Sequence, residues 1–387
     1  MADMVEKYKK LDSFINFTGK FKSDQEIVLS EIASLFSKAN EYPSLSNYEQ
    51  TILDQIYMDL FIKNNDGNNK RFSISKYAID EILSYKNKKL LPKYLVHRYR
   101  YEMFPQLYEL DNYPPHLQIE PTSFCNYRCV FCYQTDRKLT TKNNGHMGHM
   151  TIDTFKNIVD QTVGNVEFIS LASRGEPLLC PDIEEMLAYT RGKYLNLKFN
   201  TNASLLNEAK CHAILKSGIK TLVFSADAAK EPNYSEYRVN GSLEKVLKNI
   251  ERFQNIRIKY YSNSEIITRV SGVKFEDSQD IKSMKSLWGQ LVDQVTFVEY
   301  LPWENSYISP TNDITISCSD LWRRMFIWWD GKVNPCDVDY LSSLSVGNIM
   351  DNDISSFWKG EIYSNYRTKH LSKIRCDMNP CNKCSFT

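Results

Sequence analysis

Charge of one sign is the first thing this 387-residue chain lacks. Its 48 basic and 47 acidic side chains leave a formal net charge of +1. No bulk field exists to attract nucleic acid or an anionic membrane, and neither is expected as a partner. Long apolar runs are missing as well. Nothing approaches the roughly 18 residues a membrane span needs. The opening Met1-Ala-Asp-Met-Val-Glu-Lys-Tyr-Lys-Lys is charged, without the apolar centre of a secretory signal. The expectation is a soluble, cytoplasmic protein. Cysteine is absent from residues 1–112. The ten cysteines that follow are not expected to form a disulfide framework in such a chain, and their clustering suggests metal.

What is present divides into three stretches, expected as domains over 1–112, 113–305 and 306–387. The first patterns as helices. Ser23-Asp-Gln-Glu26 is a capping-box sequence ahead of Ile27, Ile32, Leu35 and Phe36. A second helix carries Ile52, Ile56, Leu60 and Phe61. A loop follows at 64–69. Ser73 is expected to cap a third helix, and an aromatic-rich fourth runs over 91–110. This part reads either as a platform for the catalytic domain or as a recognition domain for a peptide or carrier. Tyr113-Pro-Pro115 breaks the pattern. Six strand-like runs then alternate with helices, at 117–120, 166–172, 195–199, 221–225, 266–270 and 295–300. That alternation points to an α/β parallel sheet, doubly wound or barrel-like, with its chemistry at the strands' C-terminal ends. Beyond 300, Asp330-Gly331 signals a hairpin between strands at 325–329 and 332–334.

The first of those strand ends delivers Cys125-Asn-Tyr-Arg-Cys129-Val-Phe-Cys132. Thiolates suit zinc and iron–sulfur clusters. Three are one short of the four a closed zinc site takes. Either a fourth ligand comes from elsewhere or one metal position stays open. Later strand ends carry Ser173-Arg174-Gly175-Glu176-Pro177, Asn200-Thr201-Asn202 and Ser225-Ala-Asp227 with Tyr237-Arg238. Taken singly, Glu176 reads equally as a helix N-terminal carboxylate, Ser225-x-Asp227 as a helix cap and Arg238 as a surface residue.

Together, in this order and at consecutive strand ends, these pieces resemble the radical SAM superfamily. The resemblance implies a partial (β/α)6 TIM barrel over about 116–300. It implies a [4Fe–4S] cluster on Cys125, Cys129 and Cys132, with S-adenosylmethionine (SAM) on the fourth iron. Phe131 would lie near the adenine, and Glu176 would accept from the SAM ammonium. Asn202 and Ser225 would reach the ribose or substrate, and Arg238 would pair with the SAM carboxylate. Arg174 stands where the family's Gly-Gly-Glu-Pro turn has its first glycine. The segment Cys318-x12-Gly331-x4-Cys336 followed by Cys376-x4-Cys381-x2-Cys384 resembles the family's SPASM/twitch extension, a hairpin-plus-helix domain. A full extension has seven cysteines and two auxiliary clusters. The five here suffice for one [4Fe–4S] cluster, expected on Cys318, Cys336, Cys381 and Cys384, with Cys376 left over or substituting for one of them. Structural zinc at both groups, in a protein without catalysis, is the alternative.

The activity implied is one-electron cleavage of SAM to a 5′-deoxyadenosyl radical that abstracts hydrogen from a C–H bond. The substrate is expected to be small and polar, a sugar, aminoglycoside or nucleotide-sugar, oxidised or epimerised. The auxiliary cluster would accept or relay electrons, and flavodoxin or ferredoxin would donate them. Peptide or protein modification is the runner-up. An epimerase needs a thiol hydrogen donor, for which Cys376 and Cys180 are the candidates, Cys211 being expected in the core. Glu299 is a candidate base, in a group with Tyr300, Trp303 and Glu304. Arg174 and Arg269 are further candidates for binding an anionic group.

Overall fold

The computed structural model describes residues 13–20, 25–36, 45–62 and 70–387. The strands are β1 (Phe14–Thr18), β2 (His116–Ile119), β3 (Arg128–Cys129), β4 (Phe168–Leu171), β5 (Asn196–Thr201), β6 (Ile219–Ser225), β7 (Arg238–Val239), β8 (Ile267–Lys274), β9 (Gln294–Glu299), β10 (Arg324–Ile327), β11 (Lys332–Asn334) and β12 (Gly347–Asn348). Among the N-terminal residues, α1 (Gln25–Phe36), α2 (Asn47–Phe61), α3 (Lys76–Ser84) and α4 (Leu91–Leu107) share a core. Helical spacing turns Val28 and Ile32 of α1, and Ile52 and Ile56 of α2, inward with Tyr94, Leu95 and Phe104 of α4.

A capping box does open a helix here, at α2. Ser46 Oγ accepts from Glu49 N at 3.2 Å, and Glu49 Oε2 from Ser46 N at 2.8 Å. The box expected at 23–26 begins outside the described residues, as does the loop at 64–69. Ser75, not Ser73, precedes α3. Phe72 and Ile74 are buried in alternation with exposed Arg71 and Ser73, so this stretch stays extended.

The all-helical reading of 1–112 needs a larger correction. β1 pairs antiparallel with β9, Phe14 opposite Val298, and forms one edge of the main sheet. Five residues are too few for a period-two pattern to stand out from helical neighbours.

The centre of that sheet is six parallel strands, β2-β4-β5-β6-β8-β9, each beside the next in chain order. A doubly wound sheet reverses direction from its middle; this one does not. The helices at 152–162, 183–189, 208–216 and 243–260 pack in sequence against one another, one outer layer around a barrel-like sheet. Fully buried Leu117, Ile169, Leu197, Leu222, Val270 and Val295 fill the core beneath them. At the other edge β10 lies parallel beside β2, and β11 and β12 continue antiparallel, so the C-terminal hairpin prolongs the same sheet. Because the six strands are parallel, their C-terminal ends gather on one rim.

Candidate active site and cluster-binding loops

The cysteine loop leaves β2 at that rim and is pinned from several sides. Buried Gln134 donates to Ser123 O at 2.8 Å and to Arg174 O at 2.5 Å. Gly175 presses on the same loop: a Cβ there would fall 2.3 Å from Thr122 O and 2.5 Å from Phe124 O, so glycine is required by close approach. Ser173 has φ +141°, a region where glycine would be unstrained. The ladder of β3 with β7 sets Cys129 opposite Arg238, and Val130 N donates to Tyr237 O at 3.1 Å. This two-residue pairing joins segments more than 100 residues apart, too short a ladder to leave a periodic trace in the residue order.

The three thiols sit in low-dielectric surroundings. Burial, then the Glu176 carboxylate, pushes Cys125 up to about 12. Burial also raises Cys129 against the pull of Arg238, and it raises Cys132. Such groups hold their protons until a metal takes the sulfur. Donors already face two of the sulfurs: Tyr127 N at 3.5 Å from Cys125 Sγ, and Arg238 Nη1 at 3.7 Å from Cys129 Sγ. Such hydrogen bonds tune iron–sulfur clusters.

Glu176 is buried beside the loop, with Thr201 Oγ1 and Asn202 N each donating to it at 2.6 Å. Burial is the main influence and raises its pKa. Among the described residues no cation forms an ion pair with it. A buried carboxylate without a counter-charge suits an ammonium-bearing ligand. Asn202 Nδ2 donates to Asn126 Oδ1 at 3.0 Å, tying the third strand's end to the cysteine loop. Arg238 departs from the expectation of an open carboxylate binder. Its Nε lies 2.5 Å from Asp227 Oδ2, an ion pair buried on both sides. Asp227 is itself fixed by Val273 N at 2.6 Å. The guanidinium is thus oriented along Cys129 and above Phe131, whose ring centre is 5.8 Å away. Ser225 is half-buried at the end of β6.

The C-terminal cysteines separate into a set and a remainder. Cys318, Cys336, Cys381 and Cys384 line one cavity with apolar Leu321, Pro335, Val338 and Met378. Val338 N and Phe386 N approach Cys336 Sγ and Cys384 Sγ at 3.2 and 3.4 Å. Buried Arg375 fastens the terminal turn through Cys381 O at 3.0 Å and Cys384 O at 2.9 Å. Cys376 is exposed and lies outside that cavity, its sulfur 3.6 Å from Asp377 Oδ1. Among the described residues no three His, Cys, Asp or Glu side chains are grouped to hold a single metal ion. A cubane cluster does not require that, because each ligand sulfur bonds a different iron.

The remaining candidates lie as follows. Cys180 is buried in the barrel core, Sγ 4.0 Å from Met150 O, and Cys211 is in the core as expected. Glu299 is exposed at the end of β9. Tyr300 and Glu304 bond each other. Trp303 stands between the two cysteine regions, its ring 6.4 Å from Tyr133 and 6.0 Å from Phe386. Neither arginine offered for an anion lies open at the rim. Arg174 is buried against Glu120, at 2.8 and 2.5 Å, and donates to Tyr340 O at 2.8 Å, so it locks barrel to hairpin. Arg269 faces the opposite end of the barrel.

These loops and the barrel define the class. Residues 119–286 match the Radical SAM superfamily and residues 318–385 match the SPASM iron–sulfur cluster-binding domain. The chain is a radical SAM protein with a C-terminal SPASM domain. Its cofactors are S-adenosylmethionine, a [4Fe–4S] cluster and auxiliary iron–sulfur. Among individual proteins, it is 28% identical over 216 residues to GTP 3′,8-cyclase of Clostridium botulinum (strain Okra / Type B1), covering 53% of this chain and 64% of that one. It is 26% identical over 161 residues to AdoMet-dependent heme synthase of Methanosarcina barkeri, 41% and 45% of the two chains. The chain thus spans less than two thirds of these relatives. In fold it is similar to Streptococcus suis SuiB bound to S-adenosylmethionine, TM-score 0.52 at 14% identity, covering 88% of each chain. No helix among the described residues is long and apolar enough to cross a membrane.

Proposed function

We propose that this protein is a radical SAM dehydrogenase, removing two electrons and two protons' worth of hydrogen from a small polar substrate. The observation carrying the reading is the cavity that gathers Cys318, Cys336, Cys381 and Cys384. Four protein thiols fill every iron of a cubane and leave no position for substrate, which favours outer-sphere electron acceptance. Oxidation is preferred to epimerisation because no spare thiol stands at the rim: Cys180 is in the core and Cys376 is exposed beyond the cavity. A small polar substrate accords with the similarity to GTP 3′,8-cyclase, since GTP is small and polar.

Bound at the first loop, cluster and SAM supply one-electron cleavage and hydrogen-atom abstraction. The chain's part is to hold and orient. Cys125, Cys129 and Cys132 take the iron. Glu176 would accept from the SAM ammonium, and Arg238, steadied by Asp227, would pair with the SAM carboxylate. Phe131 borders the adenine, and Asn202 and Ser225 meet the ribose. Glu299 receives the proton released as the substrate carbon is oxidised. Trp303 keeps the barrel rim and the auxiliary site in register. A flavodoxin or ferredoxin delivers the starting electron.

Anaerobic reconstitution, reduction and a panel of deuterated sugars and nucleotide-sugars test this. The expected result is deuterium in 5′-deoxyadenosine and a product three mass units lighter than the deuterated substrate, one D and one H having been lost. Solvent deuterium at a product carbon without oxidation would sink the dehydrogenase reading in favour of an epimerase. Turnover of a peptide alone would overturn the substrate class.

A further inference from the structure

A second cavity, of about 170 Å³, lies at the end of the barrel opposite the cysteine loops. Its floor is the N-terminal halves of the parallel strands: His116 of β2, Asn196 and Lys198 of β5, Thr221 of β6 and Arg269 of β8, with Arg324 of β10. Its roof is the N-terminal region, with Glu81 of α3 and His97 and Arg98 of α4. The volume far exceeds the ~10–15 Å³ at which one water fits. The interior is strongly cationic. Among the described residues, Lys198, Arg269, Arg324 and Arg98 line it against a single carboxylate, Glu81. Glu81 is engaged by Tyr94 OH at 2.8 Å, and Arg98 by Glu102. Arg324 has Asp320 only at 3.9 Å. Lys198 and Arg269 form no ion pair among the described residues, and the one partner of Arg269 is neutral, Gln294 Oε1 at 2.7 Å.

Several buried polar atoms here have no hydrogen-bond partner among the described residues. They are Arg269 Nη2, both ring nitrogens of His97, Thr221 Oγ1 and Asn196 Oδ1. His97, Arg269, Thr221 and Asn196 are 2, 4, 2 and 4% exposed. Uncompensated buried cations and orphaned donors are both costly. A bound oxyanion lowers the cost at the donors, offering acceptor oxygens to the Arg269 guanidinium, the Lys198 ammonium, the Thr221 hydroxyl and the single ring N–H of His97; Asn196 Oδ1, itself an acceptor, is outside this set. The Radical SAM match explains none of this, because the cavity faces away from the rim.

We propose that the cavity between the N-terminal helices and the lower end of the barrel binds a small oxyanion of the phosphate or sulfate class. The anion joins the two regions. Without it, burial and then Arg269 and Arg324, opposed by Glu81, push Lys198 down to about 7. A depressed lysine pKa gives stability that is present above the ordinary value of ~10.4 and lost as pH falls through about 7.

The test uses the anaerobically reconstituted full chain in chloride buffer at fixed ionic strength. Inorganic phosphate and, separately, sulfate are titrated by calorimetry and by Tm. Saturable binding with a rising Tm is expected, weakened at least about tenfold in Lys198→Met and in Arg269→Gln. Cleavage of SAM at saturation should stay within about twofold in both. In chloride alone, Lys198→Met should raise Tm over wild type more near pH ~6 than near pH ~10, and phosphate should erase that gain. Should Lys198→Met not fold, Arg269→Gln and Thr221→Val carry the same reading. The proposal fails if neither anion binds saturably, or if binding is undiminished in the folded variants.

Discussion

The two cysteine sites are built in opposite ways. At the barrel rim three thiols come from one loop of eight residues, so their spacing alone brings them together. In the C-terminal region four thiols come from three places in the chain, and only the packing of hairpin, helices and tail brings them to one cavity. The first site borders buried Glu176 and buried Arg238. The second is lined mainly by apolar side chains, Leu321, Pro335, Val338 and Met378 among them, with Asp339, His370 and Arg375 also at its wall. An open site with polar neighbours suits a cofactor exchanged at each turnover. A closed apolar one suits a cluster that only passes electrons.

The contrast can be broken most sharply at the rim. Cys129→Ala should lower 5′-deoxyadenosine formation at least about 1000-fold, roughly 4 kcal/mol in the barrier. Residual cleavage close to wild type would deny the loop its role. Cys336→Ala should act differently: bound iron and sulfide fall by about half, oxidised product falls about 100-fold, and cleavage without product stays within about tenfold. Equal loss of cleavage and product would erase the distinction between the sites. Asp227→Asn removes the charge that orients Arg238. We expect KM for SAM to rise about tenfold with little change in kcat, together with an altered paramagnetic signal of the reduced first cluster. A pure loss of folded protein would make Asp227 structural only. The smallest effect belongs to Cys376→Ser, which should leave iron content and activity within about twofold of wild type. Loss of a cluster there would return Cys376 to the ligand set.

Much of this was legible in the residue order, and the exceptions share a cause. The parallel core read correctly because each buried strand is a short apolar run followed by a helical period. β1 did not, since five residues pairing at a distant edge leave no periodic trace. Arg174 and Arg269 looked like anion binders at the rim from their places near strand ends; Arg174 is held by Glu120 and Arg269 lies at the other end of the barrel. Which end an arginine serves, and whether a buried glutamate such as Glu120 already holds it, depends on strand register and on contacts far along the chain.

The sequence by itself determined the chemistry of the rim, because C-x3-C-x2-C and the strand-end motifs are local and a short loop cannot separate its own thiols widely. It also limited the C-terminal region to one four-cysteine set with a remainder. Tertiary structure alone decided that Cys376 stands outside the cavity lined by the other four, that Asp227 holds Arg238 against Cys129, and that helices and barrel enclose a cationic cavity. Each of these is a meeting of side chains from distant segments, and burial energy summed over the whole core, not any local preference, selects such meetings.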